Sequence, residues 1–166
     1  MKIEEINGNL SVVDFAEIEA YKIACAIEKE GMKFYKKLHT SSAYEKVREV
    51  LDKMIKEEEK HFKYFSTLLQ EAKKIGTDNL EEDNLLQHMD YGVFQPYKSI
   101  AELDVVLDKP SMALKLAKKV EEKSVQFYKM CLNNLKSQDA KNAVKKILDE
   151  EIAHGQMFAE MLENMD

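Results

Sequence analysis

Apolar residues recur every three or four positions through four long stretches of this chain, the spacing that lays one apolar stripe along a helix. The first stretch runs from Phe15 to about Leu38 and is preceded by Ser11 and Asp14, which resemble an N-terminal capping pair. The second runs from about Ala43 to Ile75, with Ser41-Ser42 and Glu45 at its opening and Gly76 as a stop. Asp108 and Pro110 open the third, which continues to about Leu132; Asn133-Asn134 and Ser137 make a turn, and the fourth reaches about Leu162. Residues 76–110 break the rhythm and contain both prolines, with Leu80–Met89 and Ile100–Leu107 as candidate short helices, so this stretch reads as a connector. The expected fold is all-α, in one domain over residues 1–166: a helical hairpin over about 11–75, a crossover over about 76–110 and a second hairpin over about 111–164.

The two hairpins carry one pattern twice, shifted by 93 positions without a gap. Glu28, Tyr35, Glu58 and His61 in the first half correspond to Glu121, Tyr128, Glu151 and His154 in the second. The correspondence extends to apolar positions: Ala24 with Ala117, Phe34 with Phe127, Phe65 with Phe158. Among the acids and histidines of the first unit, only Glu28, Glu57, Glu58 and His61 have an identical partner in the second. The duplication has kept acids and imidazoles selectively.

Residues level with each other across a helical hairpin lie equally far from its loop. The midpoint of 28 and 58 is 43, and that of 121 and 151 is 136, both on or beside the turn signals. Each glutamate pair therefore faces across its hairpin, about 20 Å from the loop at 1.5 Å per residue. Equivalent hairpins bring their sites to one level when a two-fold axis perpendicular to the bundle relates them. That arrangement makes the second and third helices parallel, so the connector must travel the length of the bundle, as in the ferritin-like four-helix architecture with one long crossover.

Composition narrows the class of protein. Straight-chain residues dominate, and only five Gly and two Pro interrupt them, which favours helix. No apolar run approaches a membrane span and no secretory leader pattern opens the chain, so the expectation is a cytoplasmic protein with no membrane partner. The net charge of −6 argues against nucleic acid, which requires clustered Lys and Arg, and suits a protein that takes up divalent cations. Cys25 and Cys131 form no C-x-x-C pair, so these residues encode neither a rubredoxin-like iron centre nor a zinc knuckle; both read as buried small hydrophobes.

On a helix, positions i and i+3 share a face, so Glu58 and His61 can aim at one point, as can Glu151 and His154. With Glu28 and Glu121 the inward set is four carboxylates and two imidazoles, the composition of di-iron and di-manganese carboxylate bundles. Four buried carboxylates without cations would be strongly unfavourable, because each loses hydration and repels the others. Carboxylate and imidazole together suit two ions of iron or manganese, and zinc and cobalt also accept such ligands. Glu58 and Glu151 are expected to bridge the ions, with Glu28 and Glu121 terminal and one histidine on each. Glu57 and Glu150 also repeat and lie four residues before the histidines, so spacing alone leaves them as alternative ligands. Tyr35 and Tyr128, two turns beyond Glu28 and Glu121 on nearly the same stripe, are expected to hydrogen-bond a ligand carboxylate or regulate access. His39 and His88 have no counterpart in the repeat and are assigned no role.

These motifs resemble those of the rubrerythrin branch of the ferritin-like superfamily. The resemblance rests on Ala-Ile-Glu28-Lys-Glu-Gly-Met-Lys-Phe-Tyr35 with Glu57-Glu58-Glu59-Lys-His61, and on Val-Glu121-Glu-Lys-Ser-Val-Gln-Phe-Tyr128 with Asp-Glu150-Glu151-Ile-Ala-His154, and it spans about residues 15–165. It implies a non-haem di-iron oxidoreductase that reduces hydrogen peroxide, with dioxygen as the other candidate oxidant. The expected electron donor is a separate, rubredoxin-type protein, and the expected assembly is a homodimer. A ferroxidase with an iron-storage role, a manganese catalase-like activity, and a non-redox helical interaction module are the competing readings. Rubrerythrins carry a further glutamate ligand one turn after that of the third helix, where this chain has Ser124; the resulting symmetric ligand set is closer to that of bacterioferritin.

Overall fold

The computed structural model describes residues 2–6, 9–13, 17–75 and 109–165. A two-stranded antiparallel hairpin, β1 (Lys2–Ile6) and β2 (Asn9–Val13), precedes four helices: α1 (Glu17–Ser41), α2 (Glu45–Ile75), α3 (Pro110–Asn134) and α4 (Gln138–Glu163). The all-α bundle is present as expected; the β-hairpin is an addition to it. Its register pairs Ile6 with Asn9, leaving Asn7-Gly8 between the strands. Asn-Gly is the strongest short signal for such a hairpin, because both residues tolerate positive φ.

The hairpin corrects the expected start of the first helix. Ser11 pairs with Glu4 across the ladder instead of capping a helix, and α1 begins at Glu17, with Glu17 and Glu19 in its first turn where the helix dipole favours negative charge. The other boundaries lie within a few residues of expectation. Ser41 belongs to α1, and Ser42 Oγ accepts from the Tyr44 backbone N–H at 3.4 Å just before α2. Pro110 sits in the first turn of α3, where its missing N–H costs nothing, and the extended Lys109 precedes it without a side-chain cap. Ser137 caps α4 by accepting from the Ala140 N–H at 3.3 Å. The connecting turns fall at 42–44 and 135–137, around the two midpoints.

Each helix buries one stripe, and the stripes meet in two apolar clusters. One joins Ile23, Ala24 and Ile27 of α1, Phe65 of α2, Phe127, Tyr128 and Cys131 of α3, and Val144 and Ile147 of α4. The other joins Phe34, Tyr35 and Leu38 of α1, Leu51 and Met54 of α2, Leu114 and Ala117 of α3, and Phe158 of α4. The first half of α1 therefore lies level with the second halves of α2 and α3 and the first half of α4. It follows that α1 and α4 run one way and α2 and α3 the other. Because α2 and α3 are parallel, the chain between them joins opposite ends of the bundle. The candidate short helices at Leu80–Met89 and Ile100–Leu107, and His88, lie outside the described residues.

Between the two clusters, at mid-height, sit Glu28, Glu58, His61, Glu121 and Glu151, all buried. Burying a charged carboxylate costs several kcal/mol even after relaxation. Phe34, Phe65, Phe127 and Phe158 are each almost wholly buried in the layers above and below, and each contributes about 1.5–3 kcal/mol. The aromatic layers thus offset the polar centre and keep it in place.

Candidate metal centre

Glu28 comes from α1, Glu58 and His61 from α2, Glu121 from α3, and Glu151 and His154 from α4, so every helix contributes. Their donor atoms form two groups. Glu28, Glu58, His61 and Glu151 each place one donor atom within 4.8 Å of the others, and Glu121, Glu151 and His154 do the same. Glu151 belongs to both groups, whereas Glu58 appears with the first only.

Five buried polar atoms in this cluster have no hydrogen-bond partner: Glu28 Oε2, His61 Nδ1, Glu121 Oε2, Glu151 Oε1 and His154 Nδ1. They are not distant from one another. His61 Nδ1 lies 2.9 Å from Glu151 Oε1 and 3.5 Å from Glu28 Oε2, and His154 Nδ1 lies 3.8 Å from Glu121 Oε2. Buried polar atoms that converge without bonding are a costly arrangement for a protein, and a cation at their focus removes the cost. Carboxylate oxygen and imidazole nitrogen are the donor types that iron and manganese accept. The residues present therefore fit a metal centre.

Outside the ligand atoms, two tyrosines complete the bonding. The Tyr35 hydroxyl donates to Glu121 Oε1, and the Tyr128 hydroxyl donates to Glu28 Oε1. Each tyrosine thus serves the glutamate of the other hairpin, not the one on its own stripe. Each also stacks on a phenylalanine of the repeat: Phe65 with Tyr128 at 5.7 Å between centroids, and Phe158 with Tyr35 at 6.3 Å. Burial and the Glu28 charge hold the Tyr128 hydroxyl well above its ordinary pKa, so it stays a donor.

Glu150 has a role that helical spacing did not reveal. Its Oε2 lies 3.0 Å from His61 Nε2, across to the neighbouring hairpin, although spacing had offered it as a ligand beside His154. A carboxylate only accepts, so Nε2–H donates and Nδ1 is directed at the cluster. Glu57, its counterpart, is instead bound by Lys60 Nζ at 2.7 and 2.8 Å. Gly31, the counterpart of Ser124, leaves room for Glu58: a Cβ there would lie 3.1 Å from Glu58 Oε2. Cys25 Sγ faces Ser66 Oγ at 3.6 Å, Cys131 is buried in the apolar core, and His39 Nε2 lies 3.4 Å from Asp52 Oδ1.

The electrostatics follow from crowding. Burial first, and then the Glu28 charge, push the Glu58 carboxyl well above the usual carboxylate range; burial and the Glu151 charge do the same to Glu121. Burial opposes a charge on His61, but the neighbouring Glu151 and Glu28 carboxylates push it up to about 11. Burial would likewise raise Glu151, yet the adjacent His61 holds it below the ordinary value. A bound cation would therefore compete with protons for these buried donors. Metal uptake at pH 7 is expected to release protons, and affinity is expected to weaken as pH falls. Titration of the metal-free protein in lightly buffered solution with an indicator dye measures the release; uptake without any change in pH would contradict this electrostatic picture.

Among the described residues, no helix is long and apolar enough to cross a membrane. A family model described as rubrerythrin matches residues 19–162, which takes in all four helices and every residue of the cluster. Comparison with curated proteins and with solved structures gave no match.

Proposed function

This chain belongs to the rubrerythrin family, and from that premise we propose that it is a non-haem di-iron oxidoreductase that reduces hydrogen peroxide with electrons from a separate donor protein. One observation carries the reading: the five converging, unpartnered atoms on three glutamates and two histidines, buried between two apolar layers. Glu28, Glu58, His61 and Glu151 would hold one ion, and Glu121, Glu151 and His154 would hold the other. Bound iron would supply the redox chemistry, passing two electrons to peroxide, which with two protons yields two molecules of water.

The protein's own groups do the rest. The Tyr35 and Tyr128 hydroxyls each occupy one oxygen of Glu121 and Glu28, leaving the other oxygen free for a metal. Glu150 holds the His61 ring in orientation. The phenylalanine layers exclude water from above and below, and the His154 side is the more open, since that side chain is 14% exposed against 1% for His61. A small oxidant fits such an opening better than a bulky substrate does.

The test is anaerobic stopped-flow mixing of the reduced, iron-loaded protein with peroxide. Rapid reoxidation, faster than with an equal concentration of dioxygen, is expected. Sluggish reaction with peroxide and faster reaction with dioxygen would turn the assignment toward ferrous-iron oxidation. A homodimer is part of the same proposal, and native mass measurement decides between it and the large shell that storage requires.

A further inference from the structure

The repeat is nearly symmetric at the cluster but breaks one residue before each histidine. Lys60 precedes His61, whereas its counterpart before His154 is Ala153. Lys60 Nζ binds both oxygens of Glu57, and with alanine at 153 no such clasp forms on Glu150, which is free to accept from His61 Nε2 at 3.0 Å. Glu57 and Glu150 are equivalent in sequence, yet one supports a histidine and the other is engaged by an ammonium on its own helix.

Three further differences point the same way. His61 is 1% exposed and His154 14%. The His61 group gathers four side chains and the His154 group three. His61 Nδ1 approaches its nearest carboxylate oxygen to 2.9 Å, whereas His154 Nδ1 lies 3.8 Å from Glu121 Oε2.

We propose that the two metal positions are unequal by construction: the position of Glu28, Glu58, His61 and Glu151 fills first and holds its ion more tightly, because Glu150 orients His61 while Lys60 withholds Glu57 from His154. This rests on the dimetal reading above. A carboxylate that accepts from the distal imidazole N–H fixes the ring and makes its other nitrogen a better ligand; loss of such a partner typically lowers metal affinity 10–100-fold. The Lys60–Glu57 pair is largely solvent-exposed and so is a modest competitor, and its removal should have the smaller effect. Glu150 and Lys60 are thus positioning residues that rank the two sites.

Cobalt(II) is a suitable probe, because its visible spectrum reports coordination and it avoids oxidation during titration. Anaerobic titration of the metal-free protein, followed by absorbance and calorimetry, is expected to show two phases of one ion each, separated by at least about tenfold in affinity. Glu150→Ala should weaken the first phase about 10–100-fold without lowering the melting temperature of the metal-free protein. Glu150→Gln, whose amide oxygen accepts the same hydrogen bond without the charge, should fall between Glu150→Ala and the parent. Lys60→Ala should strengthen the second phase a few-fold. His154→Ala should remove the second phase and keep the first, and His61→Ala the converse. A single phase of two equal ions, or a first phase indifferent to Glu150→Ala, overturns the ranking while leaving the dimetal reading intact. No cobalt bound at all overturns the dimetal reading itself.

Discussion

Glu151→Ala is expected to empty the centre of both ions. Each of the other five inward residues serves one group of donors, whereas Glu151 serves both. Its carboxylate also faces His61 Nδ1 at 2.9 Å, and its charge acts on Glu121 and Glu58, so its loss removes a ligand and disturbs the field at its neighbours. The affinity loss should exceed about 100-fold at each position, the upper end of what removal of a merely outer partner costs. Elemental analysis after desalting should find two ions per chain in the parent and essentially none in the variant. Glu122→Ala, on an exposed side chain one residue from Glu121, should retain both. A Glu151→Ala protein that keeps two ions would contradict the shared ligand. Glu28→Ala, by contrast, should lose one ion, since Glu28 stands in the first group alone.

Stripping the metal is expected to lower the melting temperature by about 10 °C. The ligands come from four helices and converge only in the folded chain, so bound ions stabilise the native state by mass action, about 4 kcal/mol when free metal exceeds its dissociation constant a thousandfold. For a chain of this size each kcal/mol moves the midpoint about 2–4 °C. The metal-free protein must also tolerate its crowded acids. Glu58, whose carboxyl is pushed up by burial and by Glu28, contributes stability below the ordinary carboxylate range and loses it as pH rises through its elevated folded value. Glu58→Gln mimics the protonated form at every pH. It should raise the melting temperature of the metal-free protein at neutral pH and lower that of the loaded protein. Calorimetric scans with and without chelator read both signs, and a variant that shifts the two forms in the same direction would refute the account of crowding relieved by cations.

The repeat made much of this legible in advance. An exact shift of 93 residues keeps only Glu28, Glu57, Glu58 and His61 among the acids and histidines of the first unit, which narrowed the candidates to four pairs, and the structure gathers six of those eight, all but Glu57 and Glu150, into the two donor groups. The hairpin midpoints located the turns, and the parallel course of α2 and α3 followed from the symmetry. The N-terminal strands were missed although Asn7-Gly8 is a hairpin signal, because the Ser11 and Asp14 pair offered a competing start to the first helix.

What the chain of residues determined by itself was which side chains share a face, since helical periodicity is a local property and the repeat fixed it twice. Which faces meet was decided only by tertiary packing. Tyr35 lies on the stripe of Glu28 yet bonds Glu121, and Glu150 lies one turn before His154 yet bonds His61. The same packing gave Glu150 to a histidine and left Glu57 to Lys60, a difference that Lys60, where the second unit has Ala153, made available and that the contact of His61 on α2 with Glu150 on α4 turned into unequal surroundings. Contacts between helices depend on how four stripes interlock, and that is set by the volumes and shapes of the buried side chains, which a period of 3.6 residues does not encode.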